Sequence, residues 1–155
     1  MNKINLKITT PERVVYKDEE VDSITLPTSQ GEITVLPGHI PLISVLQPGE
    51  IVVRNSKEEI VMAVSGGFLE VLSTKVVILA DTAERSEEID IKRAEEAIKR
   101  AEELKNTRAV DVREFASLTV QIEKELARVK VGRKYRERIE KRGMTQSNYQ
   151  KKDKK

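Results

Sequence analysis

Hydrophobic and polar residues alternate along the first half of the chain. In INLKIT, for example, Ile4, Leu6 and Ile8 lie on one face, with polar residues between them. Such alternation is typical of a β-strand with one buried face. The pattern predicts strands in seven segments, which are INLKIT, VDSITLPT, GEITVLPG, PLISVL, EIVVRN, EEIVMAVS and FLEVLSTKVVILA.

Turn residues separate these segments. All five prolines lie within the first 48 residues, and five of the seven glycines lie within the first 67. They predict turns at Gly31, Pro37-Gly38, Pro48-Gly49 and Gly66-Gly67. Many short strands joined by tight turns predict an antiparallel β-sandwich or flattened barrel over residues 1–84.

After Glu84 the apolar residues recur every three or four positions, and no proline interrupts the chain. This period predicts two α-helices. Asp90 is the predicted N-cap of the first helix, with Ile89 placed to pack on Ala94, and Asp111 is the predicted N-cap of the second. The apolar stripes are Ala94, Ala97, Ile98, Ala101 and Leu104 in the first helix and Phe115, Leu118, Ile122, Leu126 and Val129 in the second.

Two consecutive helices with one apolar stripe each predict an antiparallel helical hairpin, here over residues 85–142. The stripe of the first helix is mostly alanine, and burial contributes only about 25 cal/mol per Å² of apolar area. We therefore expect a weakly held hairpin that can open. Gly143 is expected to end the second helix, which leaves residues 143–155 as a basic, disordered tail.

Charge changes at the same boundary. Residues 1–84 carry 7 basic and 12 acidic side chains, a net charge of −5, whereas the rest of the chain carries 21 basic and 14 acidic side chains, a net charge of +7. The basic end of the chain has three interpretations: a solvated tail that keeps the protein soluble, a contact for an acidic protein surface, or a contact for the phosphates of a nucleic acid. Nucleic acid is the less favoured partner, because only Tyr135 and Tyr149 are available there for base stacking. A nucleic-acid-binding or adaptor module with a basic helical arm is the alternative interpretation of the chain.

The composition argues against catalysis and against a metal site. The chain has no cysteine and one histidine, His39, so a cysteine–histidine pair is excluded. It has no G-x-S-x-G turn, and one imidazole is too few for the usual zinc sites. We predict no catalytic residue and no bound metal, and we assign His39 to packing or partner contact.

The expected compartment follows from what the chain does not contain. The sequence has no cysteine, no secretory leader and no apolar run of about 18 residues. We expect a cytosolic chain that is not inserted in a membrane and that reaches a membrane surface only through a partner.

Two motifs carry a resemblance to a known family. GEITVLPGHIPLISVLQPGEI, residues 31–51, and VSGGFLEV, residues 64–71, resemble the epsilon subunit of bacterial F-type ATP synthase, and the likeness extends over about residues 3–140. The resemblance implies a non-catalytic rotor subunit that joins the gamma subunit to the c ring and couples ion flow to ATP synthesis. It also implies a peripheral position at the cytoplasmic face of the membrane.

The resemblance implies two protein-contact regions. The residues that match the family's ring-facing loops are Gln30, Gly31, Glu32, Gly38, His39 and Leu42. Glu32 is expected to pair with an arginine of the ring; without the resemblance it is a free charge in a turn. In the family the hairpin either folds down on the sandwich or extends into the alpha/beta catalytic head and inhibits ATP hydrolysis. The residues expected to contact the head are Arg128, Arg133, Lys134, Arg136 and Arg138.

IDIKRA, residues 89–94, matches the ATP-binding pattern of the same family. The match implies a regulatory ATP site, with no cofactor required for the coupling role, formed by Ile89, Asp90, Arg93, Ala94 and Arg100. The alternative is that Asp90 only caps the helix and both arginines are solvated. An ungapped comparison places Gln121 and Glu125 where ATP-binding members have further arginines, and Arg128 is the candidate substitute.

Overall fold

The described part of the chain forms nine β-strands followed by two α-helices. A computed structural model describes the backbone of residues 2–107 and 109–152, and the side chains as far as residue 143. The strands are β1 (Ile4–Thr9), β2 (Val14–Thr28), β3 (Gly31–Val35), β4 (Leu42–Leu46), β5 (Gly49–Asn55), β6 (Glu59–Val64), β7 (Gly67–Val71), β8 (Lys75–Ala80) and β9 (Ala83–Arg85). A short 3-10 turn at Ser86–Glu88 leads to α1 (Ile91–Thr107) and α2 (Val112–Lys152).

All seven predicted β segments are confirmed, and the last of them contains both β7 and β8. The alternation did not predict β9 or the first half of β2. Residues 17–20 of β2 are all charged, so they show no apolar alternation. They are strand because β1 pairs with them, with Leu6 opposite Asp18 and Ile8 opposite Tyr16.

The length of β2 allows one sheet to wrap around a single core. The strand order is β1-β8-β7-β4-β2-β5-β6-β9, with β3 beside β2 and a further pairing between β1 and β2. Strands from both ends of this order contribute to the same core. Leu6 of β1 and Ile78 of β8 are fully buried in it, and so are Ile51 of β5 and Met62 of β6. The predicted β-sandwich is confirmed, although β1 and β8 form a parallel pair that the pattern did not predict.

The predicted helical hairpin is confirmed, and it lies on the outer face of β5 and β6. A second apolar cluster joins Val52, Val61 and Ala63 of the sheet to the hairpin. The hairpin residues in this cluster are Ile89, Ile91, Ala94, Ile98, Val129 and Val131. The hairpin is therefore folded down on the sandwich in this structure.

The predicted apolar stripe of α2 is only partly correct. Leu118 and Val129 are buried, but Phe115 and Leu126 are 47% and 51% exposed. The reason is that α2 has 41 residues and α1 only 17, so the two can face each other over only part of α2. Farther along, α2 turns a different face toward the sheet, and Ala127 and Val131 are buried there.

The two predicted N-caps are found at the starts of the helices, and one glycine determines how closely the helices approach each other. The Arg93 backbone N–H donates to Asp90 Oδ1 at 3.0 Å, and the Glu114 backbone N–H donates to Asp111 Oδ1 at 2.8 Å. A Cβ added to Gly132 would lie 2.7 Å from Ile91 Cγ1 and 3.1 Å from Ile89 Cγ2. Glycine is therefore required for α2 to pack this closely on the start of α1.

The helix end predicted at Gly143 is not found, because α2 continues to Lys152. The glycines with positive φ are Gly31, Gly38, Gly66 and Gly67, so Gly143 does not adopt the left-handed conformation that ends a helix. A single glycine within a helix costs about 1 kcal/mol, too little to stop a long helix by itself. Residues 153–155 of the predicted tail lie outside the described residues.

Candidate functional site

The predicted ring-facing residues lie at the start of β3, in the turns at its two ends and, for Leu42, at the start of β4. Gln30, Gly31, Glu32 and Gly38 are exposed, whereas Leu42 is partly buried and packs against the sandwich core. The first turn is held by the Thr28 hydroxyl, which donates to the Gly31 carbonyl oxygen at 2.6 Å. Gly31 has a φ of +110°, a backbone conformation that side chains rarely adopt, so this turn depends on glycine. The loop thus presents Glu32 from a rigid backbone.

His39 makes backbone contacts at the other end of β3. Its N–H donates to the Leu36 carbonyl at 3.1 Å, and its ring Nδ1 lies 2.7 Å from the Ile40 carbonyl oxygen, which can accept a hydrogen bond from it. The neighbouring Gly38 N–H donates to the Ser73 carbonyl at 2.7 Å and ties the loop to the β7–β8 turn. Leu36 and Ile40 on either side are exposed, Ile40 by 76%. The loop therefore presents an apolar rim around His39, which the sequence pattern did not predict.

A cavity of about 580 Å³ lies where the hairpin meets the sandwich. The β1–β2 turn, the end of β6, β9 and both helices line it. Five cations and three carboxylates line this cavity: Arg13, Arg93, Arg100, Lys124 and Arg128, with Glu84, Glu88 and Glu125. The balance, five minus three, is a net charge of +2, so the cavity attracts anions.

The structure separates the residues of the IDIKRA segment. Arg93 and Arg100, which are seven residues and about two helical turns apart on α1, both line the cavity. Ile89 and Ala94 are buried in the apolar cluster beneath the hairpin, and Asp90 is exposed and caps α1. Of the predicted set, only the two arginines thus reach the cavity.

The basic residues of α2 form ion pairs with carboxylates in this folded-down state. Lys134 Nζ lies 2.8 Å from Glu50 Oε1, and Arg138 Nη1 lies 2.6 Å from Glu59 Oε1. Arg133 pairs with Glu95 of α1. Among the predicted head-contacting residues, Arg136 makes no ion pair with any described residue. We call Arg128, Arg133, Lys134, Arg136 and Arg138 the basic arm.

Arg128 makes the most extensive of these contacts. Its Nε and Nη2 donate to the two carboxylate oxygens of Glu84, at 2.7 and 3.2 Å, and its Nη1 donates to Glu125 Oε2 at 2.7 Å. Glu125 is only 7% exposed. Hydrogen bonding to Glu84 raises the pKa of the Arg128 guanidinium, although burial opposes the shift. Arg128 thus links α2 to β9 and compensates the buried charge of Glu125.

Glu59 is shared by two cations. Burial would raise the pKa of this carboxyl, but hydrogen bonding and Coulomb attraction from Arg138, together with the charge of Arg54, hold it below its ordinary value. Arg54 Nε donates to Glu59 Oε2 at 2.9 Å. Because Arg54 belongs to β5 and Arg138 to α2, Glu59 connects the sheet to the hairpin.

An exposed apolar patch lies on the outer face of the sandwich, on β4, β7 and β8, away from the strands that the hairpin covers. Val45 pairs with Phe68, and Phe68 pairs with Leu79, across three neighbouring strands. Phe68 is 60% exposed, and Ile43 on β4 is exposed as well. We call Ile43, Val45, Phe68 and Leu79 the apolar face. Contiguous exposed apolar side chains of this kind mark a surface for protein contact.

A polar cluster between β2 and β5 has a structural role. Tyr16 Oη and Asn55 Nδ2 each donate to Asp18 Oδ2 at 2.9 Å. Burial and the hydrogen bond to Asp18 raise the pKa of Tyr16. Against the effect of burial, hydrogen bonds hold the pKa of Asp18 below its ordinary value. These contacts tie the charged first half of β2 to β5.

Within the described residues, no group of three or more potential metal ligands comes together. None of the helices described is both long enough and apolar enough to cross a membrane.

Comparisons with known proteins agree with this fold. A family profile described as ATP synthase, Delta/Epsilon chain, beta-sandwich domain matches residues 3–86. A protein of Dehalococcoides mccartyi named ATP synthase epsilon chain is 46% identical over 136 residues, which cover 88% of this chain and 96% of the relative. The chain belongs to the ATP synthase epsilon chain family. This membership confirms the predicted family and the prediction of a non-catalytic subunit.

Other epsilon relatives cover different shares of the chain. The ATP synthase epsilon chain of Chloroflexus aggregans is 51% identical over 94 residues, 61% of this chain and 67% of the relative. A chain in the cryo-EM structure of the Euglena gracilis mitochondrial ATP synthase, described as OSCP/F1/c-ring, matches with a TM-score of 0.70 and 28% identity. That match covers 79% of this chain and 77% of the Euglena chain.

Sequence reasoning missed several residues of the cavity in this epsilon chain. Arg13, Glu84 and Lys124 line it outside any recognisable motif, and Glu88 lines it directly before IDIKRA without being part of that pattern. Arg13 is about 80 positions away from that motif, in the turn between β1 and β2. Only the fold brings Arg13 to this cavity, so no local sequence signal could have found it.

Proposed function

We propose that this chain joins the gamma subunit to the c ring in the rotor of an ATP synthase and inhibits ATP hydrolysis through its hairpin. The proposal rests on family membership and on one structural observation. The sandwich exposes two separate surfaces, the apolar face and the turns of β3, which present both Glu32 and the apolar residues Leu36 and Ile40, while the hairpin covers a third. One rigid domain can therefore hold two partners at once.

The apolar face suits the gamma subunit. Val45, Phe68 and Leu79 form a row across three strands, and a rigid sheet loses little conformational entropy when it docks. Burial of such side chains is the main favourable term in stable protein association. The hairpin does not cover this face, so gamma can bind whatever the position of the hairpin.

The β3 turns suit the c ring. Glu32 is exposed and makes no ion pair with any described residue, so it is available for an arginine of the ring. Leu36 and Ile40, at the other end of β3, supply apolar contact. Docking on the ring places the chain peripherally, at the cytoplasmic face of the membrane.

The basic arm suits an acidic surface on the catalytic head. In the folded-down state most of its cations are already paired with Glu50, Glu59, Glu84 and Glu95. Several of these pairs are exposed, and exposed ion pairs contribute only about 0–1 kcal/mol each. An acidic surface of the head can therefore compete with the sandwich for the same cations, which provides a two-state hairpin.

The cavity suits a regulatory nucleotide such as ATP. Arg93 and Arg100 lie two turns apart on α1, about 10 Å at 1.5 Å per residue, and both face the cavity. Guanidinium groups bind phosphates with paired hydrogen bonds. Because Asp90 caps α1 and Ala94 is buried, the charged cavity residues are the ones assigned to the nucleotide.

The test is ATP hydrolysis by a catalytic head that contains gamma, without addition, with the full chain, or with a truncation ending at Glu88. This truncation keeps β9 and removes both helices. We expect both forms to bind gamma and only the full chain to inhibit. If both bind gamma and neither inhibits, the inhibitory role is wrong and the coupling role stands. If neither binds gamma, the proposed rotor function is wrong.

A further inference from the structure

We propose that Arg13, a residue of the sandwich, binds the phosphates of the regulatory nucleotide and thereby couples nucleotide binding to hairpin position. The inference rests on the nucleotide site proposed above. Arg13 lies in the turn between β1 and β2, outside the segment that resembles the family's ATP-binding pattern. It lines the same cavity as Arg93 and Arg100.

The cations of the cavity differ in what they contact. Arg128 is already held by Glu84 and Glu125. Arg13, Arg93, Arg100 and Lys124 make no ion pair with any residue that the structure describes. Glu88 is the only cavity carboxylate in the described part of the chain that has no such partner either. Four unpaired cations facing one unpaired carboxylate favour a ligand with several negative charges, such as a triphosphate.

The backbone of Arg13 is held in place although its side chain is unpaired. Its carbonyl oxygen accepts the Thr10 N–H at 2.9 Å and the Thr9 hydroxyl at 3.2 Å. Pro11, within the same turn, has a restricted φ. The turn therefore presents the guanidinium toward the cavity from a fixed point, and binding a phosphate restricts only the side chain.

The element that carries each cation decides what binding does to the hairpin. Arg93, Arg100 and Lys124 are all on the helices, so their contacts with a ligand do not require the sandwich. A ligand shifts a two-state equilibrium only through contacts that differ between the states. Among the described cations that line the cavity, Arg13 is the one on the sandwich. Its contact with a nucleotide bound to the helices exists only when the hairpin is folded down.

The expected ligand contact is specific to arginine. A guanidinium can donate two parallel hydrogen bonds to one phosphate, whereas a lysine ammonium acts as a point charge. Replacement of Arg13 by glutamine should therefore remove the contact with the phosphate. Replacement by lysine should keep the Coulomb attraction to the phosphate but lose the paired hydrogen bonds.

The experiment combines ATP titration with a measurement of hairpin position in the full chain. The sequence has no cysteine, so Ser56→Cys in the β5–β6 turn and Ser117→Cys on α2 accept a spectroscopic label pair. Both serines are exposed and neither lines the cavity. Affinity is measured by calorimetry with ATP and with inorganic tripolyphosphate, and distance distributions are recorded with and without saturating ATP.

We expect ATP to increase the folded-down population of the unmodified chain. Arg13→Gln should bind both ATP and tripolyphosphate about ten-fold more weakly and lose the ATP-induced shift even at saturation, a size consistent with the loss of one charge-assisted contact. Arg13→Lys should be intermediate. Lys7→Gln is the matched control, because Lys7 is an exposed sandwich cation outside the cavity, and it should behave as the unmodified chain.

The contrary outcomes are distinct. If the unmodified chain binds and responds to ATP, and Arg13→Gln responds equally, the role of Arg13 is wrong and the nucleotide site stands. If Arg13→Gln binds more weakly but ATP still shifts its hairpin, Arg13 contributes affinity and not coupling, which also overturns the inference. If the unmodified chain does not bind ATP, the proposed nucleotide site is wrong and the inference falls with it.

Discussion

At the scale of single residues, Glu59 is one of the carboxylates through which acid acts on the hairpin. Arg54 and Arg138 hold its pKa below the ordinary value, so its ionised form is favoured in the folded-down state. A carboxyl group with a lowered pKa stabilises that state above its unperturbed pKa, about 4.3 for glutamate, and the stabilisation is lost as pH falls through the lowered pKa. Acid should therefore weaken hairpin docking.

Glu59→Gln should reduce the ratio of folded-down to undocked hairpin about two- to five-fold at pH 7, as expected for a partly exposed ion pair. The difference from the unmodified chain should shrink as pH falls through the lowered pKa of Glu59, because the native carboxyl then becomes protonated as well. The measurement is the distance between labels at positions 56 and 117 as a function of pH. Glu58→Gln is the control, since this exposed neighbour makes no ion pair with the described residues. An equal effect of both substitutions would contradict the role of Glu59.

At the scale of elements, Gly132 sets how closely α2 approaches the start of α1. Gly132→Ala adds a methyl group 2.7 Å from Ile91 Cγ1, and overpacking of this kind costs about 1–3 kcal/mol. The same substitution favours the helix by about 1 kcal/mol. We expect circular dichroism to show unchanged or greater helix content. The ratio of folded-down to undocked hairpin, measured from the distance between labels at positions 56 and 117, should fall about ten-fold.

Gly143→Ala is the matched control for this prediction. It also replaces a glycine within α2, but an added Cβ there meets nothing within 4 Å. It should therefore raise helix content without undocking the hairpin. If Gly132→Ala leaves the hairpin as fully docked as Gly143→Ala does, close approach at Gly132 does not control docking.

The predictability of each element follows from the forces that form it. Strands such as β1 were predicted because their alternation reflects burial against one core. The first half of β2 was not, because Lys17 to Glu20 are strand through pairing with β1 and not through burial of their own side chains. The buried face of α2 was only partly predicted, since it depends on whether α1 or the sheet lies opposite. That information is not in the helix's own sequence.

At the scale of the whole molecule, the apolar face predicts where gamma binds. Phe68→Lys should weaken binding of the full chain to gamma at least ten-fold, because aromatic residues at the centre of an interface carry much of its binding energy. The side chain is 60% exposed, so the sandwich itself should remain folded. Calorimetric or surface-based titration with gamma measures the effect.

Val112→Lys is the control for the gamma prediction. Val112 is 87% exposed at the start of α2. Its replacement by lysine therefore also changes an exposed apolar side chain to a charged one, but on the hairpin and not on the apolar face. It should leave gamma affinity unchanged. Equal loss in both variants would mean that the apolar face is not the gamma surface.

The candidate site could be predicted only where its residues lie close together in sequence. Arg93 and Arg100 were found because IDIKRA resembles the family's ATP-binding pattern, and their seven-residue spacing is consistent with one side of α1. Arg13 and Glu84 were not, because the cavity joins a turn near the start of the sandwich, its last strand and both helices. The assignment of Asp90 stayed open for a physical reason: one carboxylate can cap a helix or accept hydrogen bonds from a ligand. In the folded-down state it caps the helix.

The parallel pairing of β1 with β8 determines how folding proceeds during synthesis. Residues 5–9 find their partners at residues 75–79, so this strand pair cannot form until most of the sandwich has been translated. Long-range pairs of this kind slow folding, whereas the two helices need only local contacts. Because the hairpin is made after the sandwich, it can fold against a completed sandwich. The apolar surface of β5 and β6 thus stays exposed to solvent until the hairpin has been translated, while the ribosome adds about 5–20 residues per second.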